Sequence, residues 1–111
     1  MLLSEVIERA KSYYPSEYSD EEMERWCNEV SAMLTTEVED LSEYSPSDKT
    51  LCDTPYDIMY VDYVIAKICL YQHDFNTYNQ FISLFNTRLD AYKRWRMSSP
   101  PHQAERLKNW W

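Results

Sequence analysis

Apolar side chains recur at helical spacing along most of the chain. Leu3, Val6, Ile7 and Ala10 share one stripe, which predicts a first helix over about Leu2 to Tyr14, stopped by Pro15. Ser19-Asp20-Glu21-Glu22 reads as a capping box, with a carboxylate three residues after the serine, and predicts the start of a second helix. There Met23, Trp26, Val30, Met33 or Leu34, and Leu41 repeat on one side, while Glu29, Glu37, Glu39 and Asp40 take the other. Residues 42–53, with Pro46 among serines and aspartates, predict a loop.

The next segment departs from that two-sided pattern. Thr54-Pro55-Tyr56-Asp57 predicts a third helix with Thr54 as N-cap, Pro55 at the first helical position and Asp57 closing the box. Ile58, Val61, Ile65 and Ile68 form one stripe, and Tyr60, Val64 and Tyr71 form another. A helix that is apolar all round is normally buried. A fourth helix is predicted from near Asp74 to about Met97, with Phe75, Tyr78, Ile82, Phe85, Leu89 and Tyr92 making a seam for a partner helix. Ser98-Ser99-Pro100-Pro101 breaks it and leaves the segment His102 to Trp111. The expected fold is all-α, an antiparallel bundle of about four helices over residues 1–97. Residues 98–111 are expected to form a C-terminal tail or short fifth helix that serves as an interaction segment.

Composition narrows what such a bundle can do. The 111 residues contain no glycine, so phosphate-cradling loops, dinucleotide fingerprints and nucleophile elbows are missing. Cys27, Cys52 and Cys69 have no CxxC spacing and read as reduced thiols. With only His73 and His102 as imidazoles, no zinc site is expected. The first residues carry no secretory signal, and no apolar run is long enough to cross a bilayer. Net charge is −8, which disfavours sequence-specific nucleic-acid binding. The charge is unevenly shared: residues 1–87 hold 5 basic and 17 acidic side chains, and residues 88–111 hold 6 basic and 2 acidic.

Candidate chemistry is sparse. Asp57 and Asp62 lie five residues apart and do not stack on one helical face, so structural roles are preferred to acid–base catalysis. Asp20, Glu21, Glu22 and Glu24 suit the positive end of a helix. Cys69 and His73 have dyad spacing, but a cysteine on an apolar stripe behaves as a small hydrophobe. No enzyme, metal or cofactor is expected. Interface residues are expected instead. Rings such as Tyr56, Tyr60 and Tyr63 are expected either to pack wholly inside the bundle or, because a core of this size strains to cover both faces of the third helix, to face a partner. Arg88, Lys93, Arg94 and Arg96 form a basic end, and Arg106, Lys108, Trp110 and Trp111 form an anchor expected to dock on a partner.

Pro55-Tyr56-Asp57, Tyr60, Tyr63, Ile65-Ala66, Tyr71, Asp74, Tyr78-Asn79, Leu84-Phe85-Asn86, Tyr92 and Trp95 form a distributed pattern, joined by Trp26-Cys27-Asn28-Glu29-Val30 and Glu37. Over about three-quarters of the chain this pattern resembles the small helical head–tail connector proteins of tailed bacteriophages and of prophages in Gram-positive bacteria. The resemblance implies an adaptor at the virion neck, made in the bacterial cytoplasm. It would form a ring with copies of itself between the portal and a tail-side connector or stopper, with DNA passing through the ring and no membrane involved. The alternative from another class is a free acidic helical interaction or regulatory module of a prophage.

Overall fold

The computed structural model describes residues 1–37, 48–52 and 54–98, with side chains through Arg96. Its helices are α1 (Leu3–Tyr13), α2 (Asp20–Glu37), α3 (Ile58–Tyr71) and α4 (Phe75–Ser98). Among the described residues there is no strand, only an isolated bridge between Leu2 and Lys49. The fold is an all-α bundle.

The first two helices follow their sequence signals. In α1, Leu3, Val6, Ile7 and Ala10 are all buried, and the chain leaves the helix at Tyr14, before Pro15. At the start of α2 the Glu22 amide donates to Ser19 Oγ at 3.2 Å, satisfying one of the four orphan donors of the first turn. Met23, Trp26, Val30 and Leu34 face inward, and Met33 is half-buried. Leu41 lies outside the described residues, as do Glu39 and Asp40.

The start of α3 corrects the sequence reading. Residues 54–57 form a turn, and the helix begins at Ile58. Thr54 caps no helical amide; its hydroxyl donates to Asp57 Oδ2 at 3.3 Å. Asp57 makes no side-chain cap either. Its carboxylate lies 3.3 Å from the Met1 amino group, both groups almost fully buried. A cation held in a dry site outcompetes backbone amides for that carboxylate.

Contacts at the helix ends fix the topology. Lys11 pairs with Asp20, so α1 turns back into α2. Lys93 on α4 meets Glu37 at the end of α2, 2.7 Å apart. The Tyr14 hydroxyl donates to Asp74 at 2.9 Å, joining the end of α1 to the α3–α4 corner. Successive helices are therefore antiparallel, and α3 packs against all three others.

This centrality favours the internal alternative for most of α3. Nine of its fourteen residues are buried, from Met59 to Cys69, because α1, α2 and α4 each take one side of a short helix. The helix is the hub of the bundle, and a narrow stripe of Tyr63, Lys67, Leu70 and Tyr71 stays partly in water, Tyr71 at 53% exposed. The predicted α3–α4 hairpin is present, and among the described helices the backbone of α4 lies against α3 alone. In its seam Phe85, Leu89 and Tyr92 are buried and Tyr78 and Ile82 half-buried. Phe75 is not in the core, with 53% of its surface exposed at the helix start; Phe81 is buried instead, under the edge of Tyr13 at 5.5 Å.

Candidate interaction surface

Because α4 is longer than α3 and is held on one side, its last turns bring several rings together. Tyr92 and Trp95, three residues apart on α4, stack at 6.0 Å with their planes 26° apart. Tyr56, from the turn before α3, meets Tyr92 and Trp95 at 5.4 Å each. Tyr92 is the buried base of this group, Tyr56 is half-buried, and Trp95 remains 40% exposed. The rings border a cleft also lined by Leu51, Pro55 and Arg96. Arg94 is exposed beside it and Arg96 is half-buried. An apolar ring with cations at its margin has the composition of an interface centre.

The structure divides the predicted basic end into different roles. Arg88 is paired with Asp62, whose side chain is only 5% exposed, so this guanidinium ties α4 to α3. Burial pushes the Asp62 carboxyl above its ordinary range, and the Arg88 charge pulls it partly back. Lys93 is engaged with Glu37 of α2 at the surface. Arg94 and Arg96 are the basic-end residues that flank Trp95. Arg106, Lys108, Trp110 and Trp111 lie outside the described residues.

The tyrosines divide as well. Tyr60 is fully buried, so its placement at an interface is corrected. Its hydroxyl is 2.7 Å from Ser31 Oγ and accepts the Leu51 amide at 3.1 Å. Burial raises its pKa well above the phenolic value, and the ring spans the core from α3 to α2. Tyr63 is half-buried against Phe85 at 5.0 Å and donates to Glu29 at 3.2 Å, so most of it serves the bundle. Of the three tyrosines named as interface residues, Tyr56 is the one that joins Trp95.

The other candidates resolve into structural parts. Asp57 and Asp62 answer to different cations, the Met1 amino group and Arg88, and do not form a pair. The buried Cys69 thiol is raised by desolvation and by the nearby Asp74 charge, so its thiolate is disfavoured. His73 is exposed and makes an edge contact with Phe75 at 5.8 Å. Burial likewise pushes Cys27 up to about 12. Among the described residues no group of three His, Cys, Asp or Glu could hold a metal ion, and no helix is long and apolar enough to cross a membrane.

Sequence reasoning did not single out Trp95 as a candidate, placing it only within the resemblance pattern. Its spacing from Tyr92, with Arg94 and Arg96 alongside, was the available signal. These features define an all-α bundle with an aromatic, basic-flanked end on its longest helix. No family model, characterised protein or solved structure matches the chain.

Proposed function

We propose that this chain is a non-enzymatic structural adaptor of the head–tail connector kind. Copies pack into a ring between a phage portal and a tail-side connector or stopper, at the virion neck. The observation that carries the reading is Trp95, left 40% exposed on Tyr56 and Tyr92 near the end of α4. It lies within the Thr54–Trp95 stretch that resembles connector proteins. A ring held by heterologous contacts needs two unlike complementary patches on each subunit. The α4 end supplies an aromatic and basic one, and the acidic α2 surface, with Asp20, Glu21, Glu22 and Glu24 exposed, supplies the opposite sign.

The test is complementation of a phage lacking this chain with the double variant Trp95→Ala, Arg94→Glu. The variant is expected to fold and to leave DNA-filled heads and free tails unjoined in lysates. Joined, infectious particles at the wild-type yield would contradict the proposal.

A further inference from the structure

We infer that the cleft between α1 and α2 is the receiving site for the segment after α4 of a second copy of this chain, anchored by Arg106–Trp111. This deepens the heterologous ring packing proposed above and rests on it. The cleft measures about 450 Å³, within the span of roughly 300–1,000 Å³ that bound groups occupy. Leu2, Leu3 and Ile7 make its apolar side, and Leu2 is 41% exposed there. Asp20, Glu24 and Asp48 form the polar side. Lys11 offsets Asp20, while no ion pair engages Glu24 or Asp48 among the described residues. The site is therefore an apolar trough with a net negative rim, in which a neutral or acidic partner would strand two carboxylates.

The sequence contains the complementary segment. Arg106-Leu107-Lys108-Asn109-Trp110-Trp111 carries two cations, two tryptophans and a leucine, and no acidic side chain. Tryptophan supplies large apolar area with a single polar tip, and Arg and Lys at i and i+2 meet carboxylates on either edge of a trough. Thirteen residues follow Ser98, and fully extended they span roughly 40–45 Å, enough to reach an adjacent subunit. Cleft and segment lie on different parts of one chain, which is the arrangement a heterologous contact requires.

The experiment uses the full chain with Trp110→Ser and Trp111→Ser, so that its own segment does not compete, and a dye-labelled synthetic peptide of residues 99–111. Fluorescence anisotropy should show saturable binding that weakens as salt is raised. Adding Glu24→Lys and Asp48→Lys to the protein should weaken it at least tenfold, with the helical circular dichroism unchanged. Asp48→Lys alone, outside any helix, should weaken it in the same direction. A peptide carrying serine for both tryptophans should not bind. Absence of saturable binding, or equal affinity for the Glu24→Lys/Asp48→Lys protein, would overturn the inference. Peptide binding by a chain that joins no heads to tails would support this contact and remove the connector reading. A functional neck built from a chain that fails to bind the peptide would overturn the contact alone.

Discussion

His73 carries a backbone φ of 62°, the one positive value among the described residues. It follows the C-cap of α3, where the Asp74 amide bonds Cys69 O at 2.9 Å and the His73 amide bonds Leu70 O at 3.2 Å. Those two bonds form the Schellman pattern, whose left-handed position is usually glycine. A chain with no glycine has to fill it with a residue bearing a Cβ, at about 1–2 kcal/mol. His73→Gly should therefore raise the urea midpoint by the equivalent of about 0.5–1 kcal/mol, after the extra freedom glycine gives the unfolded chain. His73→Ala, with the same Cβ clash, should not stabilise. The turn itself was legible from Asp74 and the change of stripe, but the need for a left-handed residue was not, because no glycine marked it. Tyr60 was misread for a related reason: ring type does not reveal burial. Removing its hydroxyl with Tyr60→Phe should cost about 1–3 kcal/mol in chemical denaturation, since Ser31 and the Leu51 amide lose a buried partner.

At the scale of elements, α3 and α4 carry the fold, and Arg88 and Phe85 hold them together in different ways. Phe85→Ala should cost about 3–5 kcal/mol by leaving a cavity beside Tyr63. Arg88→Ala strands the buried Asp62 carboxylate and should cost about 3 kcal/mol at neutral pH, the low end for a pair whose arginine is a third exposed. Its pH dependence has a definite sign. Burial gives Asp62 a folded pKa above its ordinary 3.8, so its protonated form favours folding. That contribution is full below about 3.8 and is lost as pH rises through the folded value. Removing Arg88 raises the folded value further. The deficit of Arg88→Ala should therefore be small near pH 4 and grow toward pH 7, as denaturation midpoints across that range would show. Helix periodicity revealed all four elements and the α3–α4 hairpin. The start of α3 was misjudged because Thr54, Pro55 and Asp57 satisfy a local capping rule. The contact that displaced it, the Met1 amino group on Asp57, is 56 positions away in sequence.

For the whole molecule, stability and assembly fall to different parts of the chain. Most of the apolar α3 is covered within one chain, so its conspicuous sequence pattern chiefly marked the core. The joint proposed here lies at the α4 end, where Trp95→Ala should cost about 1–3 kcal/mol in monomer stability, since the covered part of the ring loses both stacking and buried apolar area while its exposed part loses nothing. The resemblance to head–tail connectors rests on positions that the structure divides between core, such as Tyr60, Ile65, Ala66 and Phe85, and surface, such as Trp95. The core positions support the fold and leave function to the surface ones. Native mass spectrometry tests the proposed connector role directly, on the full chain alone and mixed with a portal protein encoded beside it. The account predicts a multi-copy assembly of chain on portal, lost when Trp95→Ala and Arg94→Glu are introduced into a still-folded protein. Separate masses for chain and portal at every mixing ratio, or an assembly indifferent to those substitutions, would contradict it.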